Sequence, residues 1–274
     1  MSDVPVSPLT AICVGSAFAF SGLFYHLHRQ KKQEIKKLYE IPKFQPNEEL
    51  VKIVKATPNK NLRYVAIEGV VEPEGNPLAS HYVPRCFGVI QKIVVSEHWK
   101  VWNPLTRVWN VRNMNKKETN TAVPFSLVAP GAFINAVSVK VQSPMEAGGS
   151  YLEQVYQRVQ HAKKELVDFV VQELSGEKPM VLEEREELLR VGTVLTGFGQ
   201  VVLEHDHVLI LQPPHDGRPY LLFPGDHYSF MQMHHNSANM WKLLSAAFGI
   251  TGAALLAWAM YRRYNTKEET RNTD

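Results

Sequence analysis

Cysteine is almost missing: the chain of 274 residues holds two, Cys13 and Cys86. Cys13 lies in an apolar run and Cys86 in a predicted strand, so no intramolecular disulfide framework forms without drawing that run into the folded region. No asparagine begins an N-x-[ST] sequon. Both absences stand against a secretory lumen or a cell-surface ectodomain. An excess of one charge is lacking too, since 30 Lys and Arg against 27 Asp and Glu leave a net +3, too little basicity for a nucleic-acid-binding domain. Enzyme signatures are also missing: there is no G-x-x-x-x-G-K-[ST], H-E-x-x-H or C-x-x-C. "GGSYL" fails the nucleophile-elbow pattern at Leu152, and "GFGQVV" fails G-x-G-x-x-G at Val202.

Two long apolar runs are present. Leu9 to Leu27 ("LTAICVGSAFAFSGLFYHL") has His26 as its only group with appreciable charge near neutral pH, and Leu243 to Tyr261 ("LLSAAFGITGAALLAWAMY") has no charged residue. At about 1.5 Å per residue, a run of about 19 residues covers roughly the 30 Å of bilayer hydrocarbon. No Lys or Arg precedes the first run, and Arg29, Lys31, Lys32, Lys36 and Lys37 follow it, the order of a signal anchor and not of a cleaved leader. Trp241 on one side of the second run and Trp258, Arg262 and Arg263 on the other form the aromatic and cationic borders of a spanning helix. The expected membrane-interface residues are therefore Arg29, Lys31, Lys32, Trp241, Trp258, Arg262 and Arg263. Two spans place both termini on one side and His28 to Met240 on the other; the flanking charges do not decide which side is which.

The resulting fold class is an α+β membrane protein: transmembrane helices at 9–27 and 243–261 flank a β-rich, antiparallel domain with one long amphipathic helix. A tail (1–8) precedes the first span, a juxtamembrane helix and linker (28–61) lead to the domain (62–240), and a short tail (262–274) ends the chain. "LRYVAIEGVV" (62–71) and "CFGVIQKIVVSEHWKVW" (86–102) have strand composition. Asn103-Pro104-Leu105-Thr106 supplies the turn of a hairpin whose arms are "WKVW" and "RVWN". "AVPFSLVA" and "AFINAVSVKVQ" add strands. The spacing of Leu152, Val155, Tyr156, Val159, Leu166, Phe169, Val170 and Leu174 predicts an amphipathic helix over 151–174, ended by Gly176. "LEEREELLRV" predicts a short acidic helix. Three strands follow within 193–224, and "GDHYSFMQMHHNSANMWK" predicts a helix running into the second span. "YVAIEGVV" and "VLTGFGQVVL" share a strand ending in Gly-x-Val or Gly-Val-Val, weak support for a repeat.

Two histidine clusters, His205-Asp206-His207 and His234-His235, meet no complete zinc pattern, and solvated turn and helix histidines are the plainer reading. Trp99, Trp102 and Trp109 with Lys100, Arg107, Arg112 and His98 make the stretch 96–112 either a structural hairpin or a partner-binding surface. Single-strand nucleic-acid binding needs a basic groove as well as stacking rings. Candidate partner-binding residues are Glu97, His98, Trp102, Trp109 and Phe125.

"YVAIEGVV" (64–71), "GVIQKIVVSEH" (88–98), "TNTAVPFSLV" (119–128), "SGEKP" (175–179), "EELLRVGTVLTGFGQVVL" (186–203) and "LQPP" (211–214), in that order between two spans, resemble the mitochondrial-anchored ubiquitin ligases, the family of ubiquitin ligase activators of NF-kappa-B with a "beside-a-membrane" domain. The resemblance implies a mitochondrial outer-membrane protein, multi-pass, with both termini cytosolic and its domain in the intermembrane space. It also implies links to mitochondrial fission, ubiquitin or SUMO conjugation and signalling. The family's ligase activity belongs to a zinc-binding RING after the second span. Here Arg262 to Asp274 contains neither Cys nor His, so the expectation is a chain without its own RING, without cofactor and without catalytic or zinc-ligand residues. It would be a RING-less paralogue, a truncated representative of an E3 transferase, or a two-span scaffold. Expected partners are the bilayer, intermembrane-space proteins and a full-length ligase relative, and no nucleic acid.

Overall fold

The computed structural model describes residues 8–131, 137–161, 177–204 and 208–271. It divides into two compact units, Pro42–His227 and the pair of flanking segments Met1–Ile41 and Tyr228–Asp274.

The flanking unit consists of α1 (Pro8–Tyr39) and the last helix, α3 (His227–Arg271), which begins at the end of the other unit. Both are long and apolar enough to cross a membrane. They run antiparallel, because rising positions in α1 meet falling positions in α3. Phe20 and Phe24 pack on Phe248, Phe24 stacks on Trp241, and His28 Nδ1 donates to the Ala238 carbonyl at 2.9 Å. At the centre, Ser21 Oγ donates to the Ser245 carbonyl at 2.9 Å, and Ser245 Oγ donates to the Ser21 carbonyl at 3.0 Å. The expected continuation of the first helix beyond the apolar run is present to Tyr39.

The central unit starts with β1 (Lys43–Phe44) and α2 (Glu48–Ala56). Sequence reading assigned no helix to 48–56, yet its signals are ordinary. Asn47 caps the first turn by accepting from the Leu50 N–H, Glu48 and Glu49 favour the positive helix end, and Leu50 and Val54, four residues apart, are fully buried.

Five strands close a narrow barrel: β2 (Asn61–Pro73), β6 (Phe125–Val128), β7 (Ser138–Val141), β11 (Val208–Gln212) and β10 (Val194–Glu204). Each pairs with its neighbour in that order, and β10 pairs back onto β2. The β7–β11 pair is parallel and the others are antiparallel. The two strands with similar glycine- and valine-containing ends, β2 and β10, are thus direct antiparallel neighbours. Alternate residues point inward: Val65, Ile67, Phe125, Leu127, Val139, Leu195, Val201, Leu209 and Leu211 form a buried core. So few strands leave little room, and Gly199 stands where a Cβ would lie 2.7 Å from the Gln212 carbonyl oxygen. β1 adds to β2, and β12 (Leu221–Pro224) adds to β10.

A second, fully antiparallel sheet has the order β8 (Glu153–His161), β9 (Glu177–Arg190), β4 (Phe87–Asn103), β5 (Val108–Ala122), with the short β3 (Leu78–Ala79) pairing the start of β4. Its foot joins the barrel core through Val89, Ile90 and Leu189.

This sheet corrects two expectations. Residues 153–161 form an edge strand and not the first turns of an amphipathic helix; the rest of that segment, 162–174, lies outside the described residues. The "LEEREELLRV" segment is a central strand and not an acidic helix, because two-sided pairing with β4 and β8 satisfies its backbone and overrides its helix propensity. The three strands expected near the end of the unit and the helix from His227 are present as read.

Candidate partner-binding site

The β4–β5 hairpin runs in register from Ile90 opposite Ala122 to Asn103 opposite Val108, with one slip at Glu97/His98. Trp102 is directly opposite Trp109, their ring centres 5.4 Å apart and tilted by 57°. Trp99, opposite Arg112, lies three residues further down β4, so Trp102 is the cross-strand partner of Trp109 and Trp99 is not. At the tip, Asn103 Oδ1 accepts from the Leu105 and Thr106 N–H groups at 3.0 and 3.3 Å, while Arg107 takes a left-handed φ of 52°. These two devices fix the turn.

Glu97 and His98 lie at the slip, down the strand from the tip. His98 Nε2 is 3.3 Å from Glu183 Oε2, and Gln157 donates to Glu183 Oε1 at 2.8 Å. The Gln157 and His98 hydrogen bonds hold the Glu183 carboxyl below the usual range. Phe125 is elsewhere: it is fully buried inside the barrel, so it packs the core and offers no surface to a partner. The geometry thus joins Trp102 with Trp109, separates them from Glu97 and His98, and removes Phe125.

A feature that sequence reading missed lies at the foot of the same sheet. Glu186, on β9, has no solvent exposure, and its carboxylate holds the segment after β3. Oε2 accepts from Ser80 Oγ at 2.7 Å and the Tyr82 N–H at 3.2 Å; Oε1 accepts from the His81 N–H at 2.9 Å and Gln91 Nε2 at 2.6 Å. Burial pushes this carboxyl upward, but the donors outweigh it and the net shift is below the usual carboxylate value. Tyr82 then stacks flat on Tyr156 of β8 at 4.3 Å. The available signal was Glu186 falling on the same strand face as the buried Leu188, once 182–189 is read as a strand.

The loop so pinned borders an open pocket of about 620 Å³ lined by Val83, Arg85, Cys86, Phe87, Glu153 and Arg190, among others. Arg190 Nη1 sits 3.4 Å from Glu153 Oε2. Phe87 is half exposed, and Arg85 is exposed in a left-handed conformation with φ 61°. A non-glycine residue held there carries strain, a recurrent mark of binding segments. An exposed ring and a guanidinium beside it suit a segment with both apolar and acidic groups.

A family model described as "GIDE: E3 Ubiquitin ligase" matches residues 95–257, from the middle of β4 through both sheets and into the apolar part of α3. The chain belongs to this E3 ubiquitin ligase family. Among similar curated proteins, the mitochondrial ubiquitin ligase activator of nfkb 1-A of Danio rerio is 38% identical over 264 residues, 96% of this chain and 76% of that protein. The Homo sapiens mitochondrial ubiquitin ligase activator of NFKB 1 is 34% identical over 259 residues, 94% of this chain and 73% of that protein. The mitochondrial E3 ubiquitin protein ligase 1 of Drosophila melanogaster is 27% identical over 211 residues, 77% of this chain and 60% of that protein. No solved structure gives a significant match.

In this ligase-family chain the expected interface residues lie on the two apolar helices. Lys31 pairs with Glu34 at 2.6 Å; Arg29 and Lys32 are exposed; Trp241 stacks on Phe24; and Arg262 lies over the Trp258 ring at 5.5 Å, with Arg263 next to it. Of the histidine clusters, 205–207 lies outside the described residues. His234 donates to the Phe230 carbonyl, and His235 shares a 3.0 Å hydrogen bond with Tyr39. Among the described residues, no three His, Cys, Asp or Glu side chains converge as a metal site.

Proposed function

We propose that these residues form the membrane-anchored recognition part of a mitochondrial ubiquitin-ligase-family protein. In this reading α1 and α3 cross the outer membrane, both chain ends face the cytosol, and the β-rich unit binds a protein partner in the intermembrane space. The observation that carries it is similarity to relatives named mitochondrial ubiquitin ligase activators that covers 94–96% of this chain, both apolar helices and the β-rich unit included. Membrane crossing draws further support from exposure: 6% of the most apolar window of each helix is buried, whereas the core helix of a soluble protein is mostly buried.

The partner contributes an apolar and acidic segment to the pocket beside Phe87 and Arg85, and this recognition is coupled to ubiquitin or SUMO conjugation at the organelle surface, in company with a full-length relative. Through that coupling the protein acts on mitochondrial fission and on NF-kappa-B signalling. RING-dependent transfer needs a zinc-folded docking surface. The 274 residues hold two cysteines, one in each structural unit, and the transfer step is assigned to no residue among them.

Protease protection on isolated mitochondria tests the reading, with one epitope at Asp274 and another between Gly75 and Asn76, an exposed stretch between β2 and β3. The expected result is digestion of the first epitope on intact mitochondria and of the second only after the outer membrane is opened. Digestion of the inner epitope on intact organelles overturns the topology and moves the pocket to the cytosol.

A further inference from the structure

The hairpin tip has a composition and a shape that the protein-binding pocket does not use. Leu105 is 94% exposed, more than any other large apolar side chain described, and Val111, Val108 and Trp102 beside it are 58%, 54% and 39% exposed. Four exposed apolar groups within ten residues are not scattered surface hydrophobics. From His98 to Lys117 the sequence has no Asp or Glu, and it has five cations: Lys100, Arg107, Arg112, Lys116 and Lys117. Lys116 is engaged by Glu118 at 3.3 Å; Arg107, beside Leu105 in the turn, is exposed.

We infer that this tip inserts into an anionic phospholipid surface, with Leu105 and Trp102 entering the interfacial layer while Lys100 and Arg107 meet headgroup phosphates. Three arguments favour lipid over a protein. The tip is a convex end of two strands, and a stable protein interface needs about 800 Å² per partner with anchors seated in pockets. Tryptophan with flanking cations and no acids is the pattern of an interfacial segment. The turn is shaped by its own hydrogen bonds, since Asn103 Oδ1 accepts from the Leu105 and Thr106 N–H groups, and in that shape Leu105 is exposed, which lowers the ordering cost of binding.

The test uses the full chain in phosphatidylcholine nanodiscs. In one arm, vesicles of phosphatidylcholine alone, or with phosphatidylglycerol added, are mixed with the discs and floated. In the other, phosphatidylglycerol is placed in the disc itself. A polarity-sensitive probe sits on Leu105→Cys, with Cys13→Ser and Cys86→Ser. The expected result is a blue shift and a gain of probe emission when phosphatidylglycerol is present, in the added vesicles if the surface is an opposed bilayer, or in the disc if it is the chain's own. Where flotation occurs, Leu105→Glu and the double variant Lys100→Gln, Arg107→Gln each lower it by about tenfold. Unchanged thermal unfolding shows the variants folded, and Leu105→Ser serves where Leu105→Glu does not fold. A probe that stays in water in both arms overturns the inference, as does a folded Leu105 variant that floats as well as the parent, because such binding rests on charge alone.

Discussion

At the scale of single residues, the decisive group is a carboxylate in a core position. Glu186 has four donors and no exposed surface, so its ionised form is bound more tightly in the folded protein than in the unfolded chain. Its pKa is lowered on folding, which means the stabilisation is fully present above the ordinary glutamate range and is lost as the pH falls through the lower, folded value. Glu186→Gln replaces one accepting oxygen with an amide that faces two donors. It is expected to cost about 2 kcal/mol, the scale of a hydrogen bond to a charged group plus a donor left unpaired. Urea unfolding at pH 7 and pH 4 should show the native protein losing more stability in acid than the variant does. Some slope should remain in the variant, since Glu68 and Glu74 are also held low by Lys43 and Lys140 against their burial. Arg85 makes the opposite argument. Its left-handed backbone favours glycine, so Arg85→Gly should raise stability by about 1 kcal/mol in the same assay. Partner binding should weaken in the same variant, because the pocket loses the Arg85 guanidinium; if stability falls instead of rising, the guanidinium was supporting the loop.

At the scale of elements, the barrel depends on close backbone approach in β10. A Cβ on Gly199 meets the Gln212 carbonyl oxygen at 2.7 Å and Leu211 and Tyr220 side-chain atoms at 3.1 Å, and two of these obstacles belong to the pairing strand β11. Gly199→Ala should therefore destabilise by about 1–3 kcal/mol, as overpacking does. Gly75→Ala, with open space around it, should be near neutral when both are compared by thermal unfolding. The same sheets show what was legible in the sequence. The "YVAIEGVV" and "VLTGFGQVVL" strands, the Asn103-Pro104 turn and both apolar helices could be read directly, because turn residues and period-two or unbroken apolar patterns act locally. β8 and β9 could not. Val155, Tyr156 and Val159 sit at helical spacings, and "LEEREELL" is built of good helix formers. What makes them strands is pairing with partners distant in sequence: β9 pairs with β4, about 90 residues away, and β8 pairs with β9. The site followed the same division. That Trp102 and Trp109 lie close together could be read because both are in one hairpin, though which tryptophan faces Trp109 could not; the Glu186 anchor and the Arg85 pocket join segments about 100 positions apart, and Phe125 is buried because its side of β6 is set by barrel closure.

At the scale of the whole molecule, a chain that enters and leaves its folded unit through two apolar helices has to hold those helices together in whatever surrounds them. Apolar area provides little drive for association in lipid, where the tails are as apolar as leucine; close packing and hydrogen bonds between helices do the work. Both are present in one zone. Ser21 and Ser245 exchange hydroxyl-to-carbonyl bonds, and Gly252 lets α3 approach α1 closely, since a Cβ there is 3.3 Å from Ala17 Cβ and from the Phe18 ring. If this zone sets the pairing, Ser21→Cys and Ser245→Cys in a Cys13→Ser background should form an intramolecular disulfide on mild oxidation of isolated membranes, read as a reduction-sensitive mobility shift. Adding Gly252→Ile should slow it severalfold by forcing the helices apart. A Gly22→Ala control, with open space around it, should change the rate little. Equal rates with and without Gly252→Ile would mean that the helices are held by the ring cluster of Phe20, Phe24, Trp241 and Phe248 instead. In that case Phe248→Ala, and not the glycine change, should slow the reaction.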